Sequence, residues 1–508
     1  MSAVPRSLAD REMLSSHGLL PVYAAAAACA LLAGMVSGTG RPGLIALFFA
    51  GIAALVLASS RKALLWAVVA GGIVVTGLTQ LYLPEARIVK FVVPLISLLL
   101  LVYALMDMLA GRPDVLPKTM PGMVTWMLVF TGIAAVTTLV NWDPGVALLG
   151  FKGYFTLWTL VFALLLSRWR VADLDGLLKL MLGIALLQIP FVMHQYLVLV
   201  PLREGLGPGV IPVDILVGTF GGNALGGGAN AVLALFSFVV FACLLGLWRH
   251  GAVSGVVAFS LGLPIIAPVF FNEAKIAVFY LPVVVLLVFW QDLALRPLRF
   301  LAVGGAAAIL FGLLMTAMTV FHPGGNLRTW SDLINVTWEQ QVADIEDLRG
   351  QHSELTRWTA LTFWAQEHAR AHPLHVAVGH GIGASRVAEE GEWSVTRTLA
   401  EERYHAGLRI GYTAISSILW DTGVLGLIAI VGGLISAWRT AGRLALEHAG
   451  VDPFHAGIFD GLKAGIAIVA LSLAHKDFFV LHLPYQTLVL LMLGYLALAA
   501  RRSAEGRS

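Results

Sequence analysis

The sequence predicts an all-α, polytopic integral membrane protein with one large, mostly helical loop outside the cytoplasm. Three observations carry this. The 508 residues are 58% hydrophobic and only 12% charged, and the mean hydropathy is +0.84, which is more apolar surface than a soluble domain covers. The apolar residues fall into runs of bilayer length, and hydropathy gives about fourteen of them. A single long polar interval, 322–410, interrupts the series. The chain therefore divides into transmembrane helices over 1–321, the loop 322–410, and further transmembrane helices over 411–508.

In chain order the runs lie near 19–36, 43–60, 63–82, 89–110, 122–141, 146–167 and 177–200. They continue near 228–247, 252–271, 274–290, 300–321, 411–437, 458–480 and 483–500. The first follows MSAVPRSLADREMLSSHG without a clear cleavage pattern and reads as a retained helix. The pairs 252–271/274–290 and 458–480/483–500 have very short connections. With a cytoplasmic N-terminus, alternate loops hold Arg61 and Lys62, Arg112 and Lys118, Arg168 and Arg170, then Arg249. The series continues with Arg296 and Arg299, Arg439 and Arg443, and Arg501 and Arg502. Basic loops stay inside, so both termini are expected in the cytoplasm and the long loop outside. In a bacterium that is the periplasmic face of the inner membrane.

Several ionisable residues interrupt the apolar runs near the outer side: Lys152, Lys275 beside Glu273, Asp421, the AHKD segment 474–477, and His194. Placing a lysine or aspartate at mid-membrane costs about 2.5–3.5 kcal/mol, so such groups face protein or water, or snorkel to the interface. Both readings stand for Lys275 and Lys476. For Asp421, a hydrogen bond to a neighbouring helix stands beside a functional role. The segment 203–232 is rich in glycine, which lets backbone amides approach an anion. It lacks the GxxxxGK[ST] spacing, and a flexible re-entrant loop before a helix is the simpler reading. GHGIG at 379–383 follows an expected helix rather than a strand, against the geometry of dinucleotide binding.

Cys29 and Cys243 lie inside apolar runs and suggest neither a disulfide nor a thiolate metal site. The loop histidines 322, 352, 368, 372, 375, 380 and 405 form no HExxH or zinc spacing, and no GxSxG elbow is present. No metal and no cofactor is expected.

The loop helix RWTALTFWAQEHARAHP from Arg357, the GHGIG turn, and the re-entry helix SSILWDTGVLG ending at Gly426 together resemble the O-antigen ligase and polysaccharide polymerase superfamily. The likeness is best over about 215–440. It implies a metal-independent, inverting glycosyltransferase that acts at the outer face on a glycan linked to undecaprenyl diphosphate. The implied partners are that lipid-linked oligosaccharide and membrane lipids, with room for chain-length-regulating and export proteins and none for nucleic acid. Ligases of this superfamily carry a His-Asn pair about three helical turns before the tG-x-x-G. That spacing falls here on Tyr412–Thr413, which turns the expectation from ligase to polymerase.

The chemistry would need cations against the departing diphosphate, and arginine suits it because its fork donates two parallel hydrogen bonds. Arg357, Arg409, Lys275, Lys152 and Arg203 are the candidates. A histidine or carboxylate must take the acceptor hydroxyl's proton, and His405, Glu402 and His380 are the candidates. A lipid-linked oligosaccharide flippase is the alternative from another class. It would also need buried cations, but usually shows two related halves, and none is visible in the sequence.

Overall fold

The computed structural model describes residues 34, 38, 60–83, 90–110, 119–204, 206, 211–222, 229–272, 274–320, 329–331, 355–371, 373–387, 398–400 and 410–506. The chain forms two compact units, 1–67 and 68–508. The second holds all the described residues of the candidate site.

Every regular element among the described residues is helical. In order, those longer than four residues are α1 (Arg61–Tyr82), α2 (Val92–Leu109), α3 (Gly122–Val140), α4 (Pro144–Tyr154), α5 (Trp158–Leu165) and α6 (Val171–Glu204). Then come α7 (Asn230–Arg249), α8 (Gly255–Phe271), α9 (Ala277–Phe289), α10 (Pro297–Val320), α11 (Arg357–Ala371) and α12 (Pro373–Val378). The last three are α13 (Ala414–His448), α14 (Pro453–Ser472) and α15 (Leu483–Gly506). Among the described residues nine helices are long and apolar enough to cross a membrane, or ten if α4 and α5, bent by 51°, form one span. This is the construction of a polytopic membrane protein.

The expected runs near 19–36 and 43–60 lie outside the described residues, apart from Gly34 and Ser60. Those at 252–271 and 274–290 correspond to α8 and α9, which at 17 and 13 residues are shorter than the other spans. Their shortness has a local cause. The Ser254 hydroxyl accepts the Val257 N–H and starts α8, while Asn272 ends it and accepts the Ala274 N–H.

The core is built around α7 and α15. Helix α7 packs along α14 and also touches α8 and α9, and α15 packs along α5. Lipid tails are as apolar as leucine, so packing of small residues rather than hydrophobicity joins such helices. Gly457 and Gly461 on α14 do this against α7. A Cβ added at Gly461 would stand 2.3 Å from the Cys243 Cα, so the two backbones touch.

Residues 211–222 run between α6 and α7 as mostly irregular backbone, yet Val213 and 215–221 are buried. Irregular backbone at membrane depth persists only where protein takes up its polar groups. Two glutamines of the α6 region do so. Gln195 Oε1 accepts the N–H groups of Val217 and Gly218, and its Nε2 donates to the Gly218 carbonyl. Gln188 Oε1 accepts the Thr219 N–H at 2.8 Å. The Thr219 hydroxyl donates to the carbonyl of Ile73, inside the π-helical turn Gly71–Val75 of α1. Over these residues the glycine-rich stretch is therefore a buried segment fixed by hydrogen bonds, not the flexible loop expected from its glycines.

Candidate functional site

The site begins with a broken helix. Thr413 caps α13: its hydroxyl accepts the Ser416 N–H, and the Ser416 hydroxyl accepts the Thr413 N–H. Ten residues on, Gly423 leaves helical geometry at φ 66°, ψ −167°, which interrupts the i→i−4 ladder. The carbonyls of Trp420 and Asp421 turn instead to the loop after α12. The His380 N–H donates to Trp420 O at 2.8 Å and the Gly381 N–H to Asp421 O at 2.9 Å.

That loop is the GHGIG segment. Gly379, Gly381 and Gly383 all have positive φ, the region that favours glycine. At Gly379 the need is also spatial, because a Cβ would lie 2.5 Å from the main chain of Asp421 and Thr422. The Asp421 side chain, fully buried, closes the arrangement. One carboxylate oxygen accepts the Ser385 N–H at 2.7 Å and the other the Tyr154 hydroxyl at 2.9 Å. Arg386 donates to the Leu149 carbonyl, and the Ile382 N–H to the Thr138 hydroxyl. The loop thereby ties α3, α4 and α13 together.

A row of rings lies against this knot. The His368 Nε2 and His380 Nε2 atoms are 2.8 Å apart, and His368 Nδ1 is 2.9 Å from the Trp364 carbonyl. A carbonyl only accepts, so His368 Nδ1 carries the proton; in a neutral ring its Nε2 then accepts from His380. His375 stacks on His380 at 4.1 Å between centroids, and Trp420 meets His368 edge-on at 4.6 Å.

The second part of the site is where α11 starts. Arg357 Nε donates to the main-chain carbonyl of His475 at 2.9 Å. The same turn, 473–477, accepts the first amides of α13: the Ala414 N–H donates to Lys476 O and the Ile415 N–H to Leu473 O, both at 3.2 Å. Burial lowers the Arg357 pKa from its ordinary value, opposed by the nearby Tyr412 hydroxyl. The His475 ring is held well below the usual histidine range, first by burial and then by the charges of Arg357 and Lys476. Arg357, Lys476, His475 and Tyr412 thus form one electrostatic cluster. Neither cation is ion-paired to a carboxylate among the described residues.

The remaining sequence candidates are dispersed. His405, Glu402 and Arg409 lie outside the described residues. His380 is in the ring row, its backbone bound to Trp420. Lys152 ends α4 with its Nζ 5.5 Å from the centroid of the Phe91 ring. Arg203, 4% exposed, lies within electrostatic reach of Asp214 of the segment 211–222. Asp214 Oδ1 accepts from Asn230, whose carbonyl accepts from Asn272, three residues before Lys275. The described partners of Arg357 are His475 and Tyr412, and none of the three other described cation candidates is among them. No group of three or more metal-ligating side chains suited to an ion occurs among the described residues.

Sequence reasoning did not single out His475 as a site residue, nor the two glutamines. The glutamines left a readable signal: Gln188 and Gln195 are seven residues apart in an apolar run, on one face of a helix. His475 left little, because its position follows from a turn meeting α11 across a long sequence separation. Comparison with protein-family models and with curated proteins finds no match.

Proposed function

We propose that this protein polymerises oligosaccharide repeat units carried on undecaprenyl diphosphate, at the outer face of the bacterial cytoplasmic membrane. The observation supporting this reading is the Arg357–Lys476 pair. Two cations flank His475 at the joint between the polar loop helix and the re-entry helix, with no described carboxylate neutralising them. A pair of cations of this kind is suited to a multiply charged anion. The position where ligases of the resembling superfamily carry a histidine is Tyr412, which adjoins Arg357, so the resemblance and the charge cluster converge.

In this reading the acceptor hydroxyl attacks the anomeric carbon from the face opposite the lipid diphosphate. The new glycosidic C–O bond forms as the bond to the diphosphate oxygen breaks, with inversion. The bonding pair leaves on that oxygen, where Arg357 and Lys476 stabilise the developing charge. The hydroxyl proton passes to a base. His405, Glu402 and His380 are the sequence candidates for it. The loop 322–410 lies outside and both termini inside, by the distribution of basic loops.

Deleting the gene tests the class of function. Surface glycan reduced to single repeats supports a polymerase. Its absence points to a flippase, and long chains made but not transferred point to a ligase.

A further inference from the structure

Away from this site, a cavity of about 630 Å³ opens between the start of α3, the second half of α13 and the end of α15. Its polar lining is Thr119, Ser436, Arg439, Thr440 and Arg443, and no carboxylate lines it among the described residues. Arg443 shares its charge with Glu447, whose other oxygen accepts from Ser503. Arg439 makes no ion pair among the described residues. The first turn of α3, which has no side-chain cap, also meets the cavity at Gly122, and helix N-termini favour anions. A Cβ at Gly122 would stand 2.5 Å from the Ser436 hydroxyl, so the helix start sits directly on the polar lining.

The same face of α13 changes character along its length. Ile428, Val431 and Ile435 are 50%, 40% and 45% exposed, spaced so that they form one apolar stripe on the helix. Arg439 follows one turn later and Arg443 a turn after that. Trp126 rests on Gly432 beside the stripe, as tryptophan does where hydrocarbon gives way to headgroups. Apolar stripe, indole and arginine cavity follow one another in the order of acyl chain, glycerol level and phosphate.

We infer that this cavity is a binding site for the phosphate headgroup of an anionic glycerophospholipid, with an acyl chain along Ile428, Val431 and Ile435. Free phosphate offers the same oxygens, but the continuous apolar stripe favours a molecule with chains. Basic pockets between membrane helices take such headgroups through charge-assisted hydrogen bonds. The site is distinct from the Arg357–Lys476 cluster, and its test does not depend on any glycosyl transfer.

The experiment uses the purified full chain in detergent, titrated separately with phosphatidylglycerol, phosphatidylcholine, glycerophosphoglycerol without chains, and inorganic phosphate. Retained lipid is read by native mass spectrometry and thermal stability is followed in parallel. Phosphatidylglycerol should be retained in preference to phosphatidylcholine. Arg439→Gln should weaken its retention roughly tenfold, the scale of one charge-assisted phosphate contact, while Arg439→Lys keeps most of it. Arg296→Gln, an exposed arginine outside the cavity, should change nothing. Should Arg439→Gln fold poorly, Val431→Asp on the exposed stripe tests the acyl path and should reduce retention with the arginines intact. Equal retention of both lipids by the wild type, or undiminished retention in Arg439→Gln, overturns the inference. Stabilisation by inorganic phosphate equal to that by the lipid overturns the lipid assignment.

Discussion

Arg357 and His475 are joined by a 2.9 Å hydrogen bond from guanidinium Nε to main-chain carbonyl, although 118 residues separate them in the chain. The bond fixes the first turn of α11 against the turn that also receives the first amides of α13. It uses one donor of a group that carries five, so a guanidinium held in place retains donors for an anion.

The His475 ring gives a pH prediction. Its folded pKa lies well below the ordinary 6.5 because burial, and then the charges of Arg357 and Lys476, oppose protonation. Above 6.5 the ring is neutral folded or unfolded. Below it the unfolded chain binds the proton first, so stability present above 6.5 is lost as pH falls toward the lower folded value. Thermal unfolding measured from about pH 8 to pH 5 should show this loss, and His475→Gln should reduce it. Arg357→Ala removes one opposing charge and should move the His475 titration upward when followed by NMR. A ring that titrates near 6.5 in the wild type contradicts this placement.

Gly379 and Gly423 hold the loop against the broken helix. Each has positive φ, and a Cβ at Gly423 would lie 2.3 Å from the Ala377 carbonyl oxygen. Gly379→Ala and Gly423→Ala should each cost roughly 1–2 kcal/mol for the backbone conformation alone, with the clash added. The measurement is Tm in detergent. Gly305→Ala, in open space on α10, is the contrast and should leave Tm nearly unchanged.

Asp421 accepts the Ser385 N–H and the Tyr154 hydroxyl inside the bundle. Asp421→Leu removes both acceptors, and each stranded donor costs about 1–3 kcal/mol. Asp421→Asn keeps an acceptor for Ser385 and offers the tyrosine oxygen a donor, so its loss of Tm should be clearly smaller. Equal losses for the two variants would show that hydrogen bonding by Asp421 contributes little.

Much of this architecture is legible in the sequence, and the remainder is obscured for physical reasons. Apolar runs of bilayer length reveal themselves locally, which is why α2, α3 and α7 match their expected ranges closely. The break in α13 is harder to read. Gly423 lies in an apolar helical pattern, and only the GHGIG loop, some forty residues earlier, makes its positive φ useful. Among the site residues, Arg357 is legible as the arginine that opens the loop helix of the resemblance and as a guanidinium suited to a diphosphate. The candidates His405, Glu402 and Arg409 lie outside the described residues. The role of Lys476 depends on a turn meeting α11, and nothing in AHKD distinguishes that from a snorkelling lysine.

The central claim is that Arg357 and Lys476 stabilise a departing lipid diphosphate. Its most direct measurement is the polymerisation rate of purified protein on lipid-linked repeat units, with Tm recorded for every variant. Arg357→Ala and Lys476→Ala should each lower the rate about a hundredfold or more. Arg357→Lys should be intermediate, because the charge survives and the fork does not. Lys476→Ala is the cleaner test, since the Lys476 main chain, not its side chain, accepts from α13, and its Tm should match the wild type. Wild-type rates from both alanine variants would contradict the account.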